Sequence, residues 1–488
     1  MIAAYCWPQS VEANERIALY CHTQAKSFQI EVIRHGVKEQ LVYSASHISG
    51  KEQDTDRTIA EHGCRWDPSH EILIDSSWIS GFYLIRLVDS DENKAEAFFV
   101  VRDREPGDAM LVLSTSTWNA YNTWGGLSYY TGGYVVSPMR PLQPGFLLKA
   151  EPYRNRIARF KNWQPEDQRE YFRAGYDPWS MAAGWSNWEK LFVEWAEKQG
   201  YKLNYAVSED LDRSPNLLDG HPAYISVGHD EYWSTGMRDT VEDYIDAGGN
   251  AAFFSGNTSF WQVRFSTDYR QMTSYKCQIE EDPAYNSKHA PDLSTMWSDP
   301  LVGRPENLMT GVSFSRGGYA HMPNAPDGTG GYSVCQSDHW AFKGVPLSEG
   351  EALGARDIVV GYECDGCELK LENGKYVPTF EDGTPEGFKV LATAEARLWE
   401  TADAPDNLAD NYIGELNWVA RRIGGADTPE MRKKFAGGHA VMGTFERGKG
   451  QVFTSGCTDW AYGLRDSKIS KITNNVLARF VKRAQSGR

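Results

Sequence analysis

The strongest constraint on the fold is an alternation of helix and strand patterns between residues 188 and 256. Apolar side chains recur at helical spacing from Trp188 to Ala196, and again from Met237 to Ile245 behind a Ser234 cap. Apolar runs of strand length surround these helices at residues 202–207, 223–227 and 251–255. Strands that alternate with helices form right-handed crossover units, which build parallel sheets. The sequence therefore predicts an α/β protein with a doubly wound, mostly parallel sheet.

The regions on either side of this alternation predict two domains. Residues 1–105 contain short strands with turn signals and no helical periodicity, which is typical of an Ig-like β-sandwich. Residues 106–488 would form the α/β domain, with a flavodoxin-like or glutamine-amidotransferase-like core. Helical periodicity fades from about residue 301 to 450, so we interpret this stretch as a β-rich insertion.

Charge and hydrophobicity exclude several classes of partner. The chain has 50 Lys and Arg against 66 Asp and Glu, a net charge of −16, which argues against nucleic acids and anionic membranes. We find no apolar run of membrane-spanning length and no signal-peptide pattern at the N-terminus. The eight cysteines are scattered, as suits a reducing compartment. We therefore expect a cytoplasmic protein that acts on or binds a small molecule.

Polar side chains follow the predicted strands at the points where those strands end. His229, Asp230 and Glu231 come directly after one strand, and Asn257 follows the next. A polar, aromatic and Gly-rich segment, residues 114–126, follows an earlier strand at residues 110–113. Ligands of open α/β sheets bind outside the carboxyl ends of the strands. We therefore predict an active site centred on His229, Glu231 and Asn257.

The same residue types leave two interpretations open. An imidazole and two carboxylates within three residues can bind a metal or exchange protons near neutral pH. Alternatively, His229 or Asp230 could cap the helix that starts near Ser234, with Glu231 interacting with its dipole. Tyrosines also crowd the region after residue 120, and a phenolate ligand would need a strongly Lewis-acidic partner such as ferric iron. These tyrosines are Tyr121, Tyr129, Tyr130 and Tyr134.

Three stretches together resemble a known family. They are residues 224–234 (YISVGHDEYWS), 248–250 (GGN) and 254–257 (FSGN). This combination is similar to the large subunit of N,N-dimethylformamidase and its relatives. Residues 119–122 (NAYN) and 361–363 (GYE) fit the same pattern, and the resemblance extends from about residue 111 to the C-terminus.

The resemblance implies a mononuclear ferric iron, Fe(III), held by two tyrosines and one glutamate. The glutamate matches Glu231 and the first tyrosine matches Tyr121. For the second tyrosine the best match is Tyr134, with Tyr130 as the next choice. His229, Asn257 and Glu363 match polar residues that line the family's pocket. The resemblance also implies a small partner subunit, and a homo-oligomer is the other arrangement we consider.

These assignments lead to one main hypothesis and two alternatives. The main hypothesis is a metal-dependent hydrolase of a small N-substituted amide, with ferric iron as the Lewis acid that activates water. His229 or Glu363 would transfer protons, and Asn257 would hold the reacting oxygen. Tryptophans would exclude water from the site, namely Trp118, Trp124, Trp233 and Trp261. The alternatives are a different enzyme or a carbohydrate-binding protein on the same scaffold, and a family member without activity.

Overall fold

The computed structural model describes residues 1–56, 58–404, 408 and 412–486, with side chains described as far as residue 482. The N-terminal strands are β1 (Ile2–Trp7), β2 (Ser10–Glu12), β3 (Arg16–Thr23), β4 (Ser27–His35), β5 (Gln40–Ser49), β6 (Pro68–Leu73), β7 (Gly81–Asp89) and β8 (Lys94–Arg102), with one short helix, α1 (Ile59–His62). They form a three-stranded sheet, β1-β3-β6, and a five-stranded sheet, β2-β8-β7-β4-β5. Apolar side chains from both sheets share one buried core, so the sheets pack face to face.

Strand β7 shows how this N-terminal region joins the rest of the chain. Successive side chains of a strand point to opposite faces of the sheet. Tyr83 and Ile85 enter the core between the two sheets, whereas Phe82 and Leu84 belong to the main core of the molecule. Phe82 stacks on Trp185 with a ring-centroid distance of 4.0 Å. Strand β7 of the five-stranded sheet is therefore buried on both faces.

The larger part of the chain contributes a further set of strands and helices. The strands are β9 (Ala109–Leu113), β10 (Val135–Val136), β11 (Leu203–Val207), β12 (Ala223–His229), β13 (Tyr232–Trp233), β14 (Asn250–Gly256), β15 (Trp261–Gln262), β16 (Arg264–Phe265), β17 (Met272–Thr273), β18 (Ser313–Tyr319), β19 (Tyr332–Val334), β20 (Ala352–Leu353), β21 (Glu363–Gly366), β22 (Leu369–Glu372), β23 (Lys375–Pro378), β24 (Lys389–Arg397), β25 (Gly437–Arg447) and β26 (Gly450–Thr454). The helices are α2 (Thr115–Tyr121), α3 (Ile157–Phe160), α4 (Pro165–Arg173), α5 (Glu189–Lys198), α6 (Ser208–Arg213), α7 (Thr235–Ala247), α8 (Asn307–Thr310), α9 (Glu415–Arg422), α10 (Pro429–Ala436) and α11 (Ser467–Ser486).

The central sheet shows that the predicted doubly wound, mostly parallel fold is wrong. Its order is β11-β9-β12-β14-β26-β25-β24-β18-β21, with β19 and β20 beside β24. Strands β11 to β26 in this order are parallel, but β25, β24, β18 and β21 continue the sheet in antiparallel pairing. The strand content, 31%, also exceeds the helix content, 24%. The architecture is a mixed, β-rich sheet.

The error has a clear physical source in the stretch from about residue 301 to 450. We interpreted this stretch as a β-rich insertion, and six of its strands belong to the central sheet, namely β18, β19, β20, β21, β24 and β25. Gly448 and Lys449 join β25 to β26 in a hairpin, and Gly448 has the positive φ of 53° that such a tight turn favours. A hairpin makes its strands antiparallel, so the parallel half ends at β26.

Local patterns in the parallel half agree with the structure. Along β14, Phe254 packs on the side of α5 and α11, while Phe253 packs on the side of α7. The Ser234 side chain accepts a hydrogen bond from the backbone N–H of Met237, and left-handed Gly248 ends α7. Helices thus cover both faces of the parallel strands. Within the described residues, no helix combines the length and the apolar character needed to cross a membrane.

A buried ion cluster on α7 yields a first prediction. Glu242 lies 2.7 Å from Arg238, 3.0 Å from Arg304 and 3.0 Å from Arg447. Burial alone would raise the pKa of Glu242, but the three guanidinium groups lower it to about 2. Glu242→Gln should therefore lower the free energy of unfolding at pH 7 by about 3 kcal/mol.

Urea denaturation at several pH values checks this prediction. A depressed carboxyl pKa stabilises the fold above pH 4.5, and this contribution is lost as the pH falls through about 2. The difference between wild type and Glu242→Gln should therefore shrink from pH 4.5 downward. Glu166→Gln, which breaks a solvent-exposed pair with Arg169, serves as the control and should leave the midpoint nearly unchanged. A pH-independent difference for Glu242→Gln would contradict the account.

Candidate functional site

Three secondary-structure elements bring the candidate site residues together. His229 is the last residue of β12, and Asn257 directly follows β14. Glu363 is the first residue of β21, which belongs to the antiparallel half of the sheet. His229, Asn257 and Glu363 are each buried, with at most 2% of their surface exposed. The site therefore lies where the carboxyl ends of parallel strands meet the start of an antiparallel strand.

His229 lies between two carboxylates. Its Nε2 is 2.6 Å from Glu363 Oε2 and 3.3 Å from Glu231 Oε2. Its Nδ1 lies 2.7 Å from the Ala182 carbonyl, which can only accept, so Nδ1 carries a proton. Burial lowers the pKa of His229, but Glu363 and Glu231 outweigh burial and raise the pKa well above its usual value. The imidazole is therefore positively charged and fixed in orientation.

Asn257 has an unusual backbone that one buried aspartate supports. Its φ is 49°, a left-handed conformation that Asn tolerates better than most residues. Asp365 accepts hydrogen bonds from the backbone N–H groups of Asn257 (2.8 Å) and Thr258 (3.1 Å). The Asn257 amide donates to Glu363 Oε2 at 3.2 Å, while its Oδ1 is buried without a partner among the described residues. That oxygen is free to accept a hydrogen bond from a ligand.

Two stacked phenols lie against Glu231. The Tyr130 hydroxyl donates to both carboxylate oxygens of Glu231 at 3.0 Å, and it accepts from the Tyr232 hydroxyl at 2.9 Å. The Tyr121 ring stacks on Tyr130 with centroids 4.2 Å apart. Burial and the Glu231 charge raise the pKa of Tyr121 and Tyr130 well above 10. Burial also raises the pKa of Glu231, but the hydrogen bond and charge of His229 reverse this and lower it.

The structure places Tyr130 at Glu231, in the position that the resemblance led us to expect for Tyr134. The Tyr134 ring stacks on Tyr275 instead, with centroids 4.9 Å apart. The turn between the two tyrosines explains the difference: Gly132 has a φ of 103°, and the Tyr134 carbonyl accepts from the Ser274 backbone N–H at 2.8 Å. This turn and backbone contact direct Tyr130 and Tyr134 to different sides.

Lys276 is a site residue that the sequence interpretation missed. Its Nζ lies 3.7 Å from the centroid of the Tyr130 ring and 5.0 Å from that of Trp261. Burial lowers the pKa of Lys276, and the Glu231 charge opposes that effect. A cation over a phenol ring favours negative charge on the phenol. Lys276 lies in an irregular segment with no motif around it, so no sequence signal marked it.

The sequence analysis also did not predict α2, because the composition of residues 114–126 indicates a loop. Thr115, Ser116 and Thr117 are poor helix formers, since their hydroxyls compete for backbone hydrogen bonds. Here those hydroxyls bind the site segment instead: Thr117 Oγ1 accepts from the Glu231 backbone N–H at 2.9 Å, and Ser116 Oγ donates to the Tyr232 carbonyl at 2.6 Å. The helix thereby fixes Tyr121, its last residue, beside Glu231.

The alternative role of this segment as a helix cap is not what the structure shows. Ser234 itself caps α7. Asp230 instead accepts hydrogen bonds from the Ser226 hydroxyl at 2.7 Å and the Trp233 indole at 2.9 Å. His229 contacts Glu363 and Glu231, as described above. None of the contacts that Asp230 and His229 make here involves the N-terminus of α7.

Glu231, Asn257 and Glu363 line a cavity of about 430 Å³ whose walls are rich in aromatic side chains. Of the four tryptophans expected around the site, Trp261 lines this cavity, whereas Trp118 donates to buried Glu189. Most of the aromatic residues in the wall carried no sequence signal, including Trp179, Phe260, Phe314, Tyr319 and Trp399. A larger cavity of about 690 Å³ lies elsewhere, against the N-terminal sheets, and contains none of the clustered carboxylates.

Comparisons with known proteins agree with the motif resemblance. The model of the family described as N,N-dimethylformamidase beta subunit-like, C-terminal, matches residues 29–474. N,N-dimethylformamidase beta subunits from Alcaligenes sp and Paracoccus aminophilus are each 22% identical, over 460 and 462 residues. These alignments cover 86% of this chain and 55% of each relative, so the chain spans about half the length of those relatives.

One solved structure, that of murine CEACAM1b, matches 23% of this chain and 63% of its own. Its identity is 13% and its TM-score is 0.13, a likeness too weak to bear on the fold.

The support that Asp365 gives to Asn257 yields a second prediction. Asp365→Ala leaves two buried backbone N–H groups without an acceptor, so it should lower the free energy of unfolding by about 3 kcal/mol. Urea denaturation measures this loss. Asp75→Ala is the matched control, because Asp75 also binds a neighbouring N–H and hydroxyl but lies on the surface. Equal, small effects of the two substitutions would contradict the proposed support.

Proposed function

Because the chain belongs to the N,N-dimethylformamidase beta subunit-like, C-terminal family, we propose that it hydrolyses the C–N bond of an amide. One observation carries this proposal: Glu363, which pairs with the fully buried His229, and the stacked phenols Tyr121 and Tyr130, of which Tyr130 donates to Glu231, line one aromatic-rich cavity. Groups that can transfer protons and oxygen atoms that can bind a metal therefore lie together beside this cavity. The relatives named as N,N-dimethylformamidase subunits support the amide as the substrate class.

We also propose ferric iron as the cofactor, with Tyr121, Tyr130 and Glu231 as its ligands. Phenol and carboxylate oxygens are hard donors, which suit a hard, strongly Lewis-acidic cation. Within the described residues, no group of three or more His, Cys, Asp or Glu side chains is placed to hold a metal, so a metal here would depend on the phenols. When bound, ferric iron would supply the Lewis acidity that polarises a carbonyl oxygen and acidifies water.

The His229–Glu363 pair provides the proton transfers. Glu363 Oε2 takes a proton from the water whose oxygen bonds to the amide carbon. As the C–N bond breaks, Glu363 gives this proton to the leaving nitrogen, and the adjacent imidazolium of His229 stabilises the Glu363 carboxylate that is formed again. The products are a carboxylic acid and an amine. The hydrogen bond from Nδ1 to the Ala182 carbonyl keeps Nε2 directed at Glu363.

Asn257 and the aromatic wall orient the substrate. The Asn257 amide N–H groups can donate to the oxygen on which negative charge develops, and Oδ1 can accept from a substrate N–H. The aromatic walls exclude bulk water, which strengthens each of these polar contacts. The names of the relatives also support a partner subunit, and whether this chain pairs with one or with a second copy stays a prediction.

Two tyrosine variants test the ligand assignment. Tyr130→Phe removes the hydroxyl that contacts Glu231, so it should reduce bound iron to a small fraction of the wild-type content. Tyr134→Phe is the matched control, because it removes a nearby hydroxyl outside the cluster, and it should keep iron. Elemental analysis of protein purified without chelator measures both. Iron lost only from Tyr134→Phe would assign the ligand to Tyr134, and full iron in both variants would exclude both Tyr130 and Tyr134 as ligands.

A third variant separates chemistry from metal binding. Glu363→Gln keeps the shape of the side chain but removes the base, so kcat for amide hydrolysis should fall about 10²- to 10⁴-fold while iron is retained. Glu280→Gln, an exposed carboxylate on the same chain, should leave kcat unchanged. Turnover in Glu363→Gln within twofold of wild type would exclude Glu363 as the base.

A further inference from the structure

The aromatic cavity contains a further acidic group, Glu415, which the proposed reaction does not use. Glu415 is the first residue of α9 and accepts a hydrogen bond from the Tyr412 hydroxyl at 2.7 Å. Both residues line the cavity that also contains Glu231 and Glu363. Two further aromatic rings form the adjoining wall: Tyr319 and Trp399 stack with centroids 4.1 Å apart. The Glu415 charge helps to raise the pKa of Tyr319, and the Leu416 backbone N–H donates to the Trp399 carbonyl at 3.0 Å, so the carboxylate and these three aromatic side chains lie close together.

The charge of Glu415 is poorly compensated by the protein. Within the part of the chain that the structure describes, no Lys, Arg or His nitrogen lies within 4.0 Å of its carboxylate. Burial raises the pKa of Glu415 to about 7, and the Tyr412 hydrogen bond and the more distant Lys276 charge only partly oppose this. The other acid in the wall, Asp403, differs because it pairs with Arg397 at 2.8 Å.

A structural role at the helix N-terminus does not account for this arrangement. An acidic residue in a first turn does favour the helix dipole. Glu430, in the first turn of the next helix, α10, does so while exposed to water. Glu415 instead faces an apolar aromatic cavity, where a carboxylate without a countercharge is costly. Its position therefore fits a ligand better than a stability role.

We propose that the cavity beside Glu415 binds an organic cation, so that the substrate is an amide with an ammonium group on one arm. The inference rests on the amide hydrolysis proposed above and adds the substrate class. Aromatic faces beside a carboxylate are the common recognition site for alkylated ammonium groups. The cavity volume of about 430 Å³ lies in the range of pockets for ligands far larger than a simple formamide.

The electrostatics of the site favour this class over a neutral one. A neutral apolar arm would fill the aromatic wall but leave Glu415 desolvated and unpaired. A cationic arm makes an ion pair with Glu415 and cation–π contacts with Tyr319, Trp399 and Tyr412. Because the cationic arm is bonded to the amide, its binding would place the amide carbonyl near Glu231 and Glu363, which line the same cavity.

Binding of two probes of equal shape tests the proposal on the wild-type chain. The probes are (2-hydroxyethyl)trimethylammonium and its uncharged counterpart 3,3-dimethyl-1-butanol, and titration calorimetry measures both. The cationic probe should bind at least about tenfold more tightly, because only it pairs with Glu415 and the rings. Equal affinities, or no binding of the cation at millimolar concentration, would overturn the inference.

Variants then locate the site. Glu415→Gln and Trp399→Leu should each weaken binding of the cationic probe about tenfold. Glu430→Gln, a first-turn acid on α10, should not change it. Unchanged binding in Glu415→Gln would overturn the assignment of Glu415 to the cation site. If a variant does not fold, the comparison of the two probes on the wild-type chain still tests the inference.

Glu231→Gln separates this inference from the proposed function. The variant should lose amide hydrolysis yet bind the cationic probe as wild type does, because Glu415 is a separate side chain. Failure of probe binding together with intact hydrolysis of neutral amides would overturn the cation site alone. Intact probe binding in a wild-type chain that hydrolyses no amide would overturn the proposed function while the cation site stands.

Discussion

The buried ion pairing of His229 with Glu363 and Glu231 is the interaction on which the candidate site depends. Two carboxylates removed from water need a countercharge, and the imidazolium supplies it at 2.6 Å and 3.3 Å. His229 and Glu231 come from the end of a parallel strand, whereas Glu363 begins an antiparallel strand of the same sheet. The site can form only because the sheet is mixed.

The sequence was informative wherever the signal was local. Helix α7, its Ser234 cap and the strands at its two ends follow from periodicity and capping chemistry, and the structure has them close to the predicted positions. Polar residues after these strands indicated His229, Glu231 and Asn257 together, because parallel strands end on the same edge. The structure brings these side chains to one place.

The sequence was uninformative where the outcome depends on pairing between distant segments. Nothing local tells that β18, β21 and β24 join the central sheet in antiparallel pairing, so the predicted mostly parallel sheet was wrong. The position of Tyr130 rather than Tyr134 at Glu231 depends on a left-handed turn at Gly132. Lys276 comes near Tyr130 through an irregular segment. Such contacts are decided by tertiary packing, which a single sequence does not display.

In the function that we propose, two phenols and Glu231 hold ferric iron beside a proton-transfer pair. The visible absorption spectrum of the wild-type chain, purified without chelator, tests it most directly, because tyrosinate bound to ferric iron absorbs visible light strongly. The account predicts a purple-brown protein whose colour disappears when the iron is removed. A colourless, metal-free protein that still hydrolyses amides would contradict it.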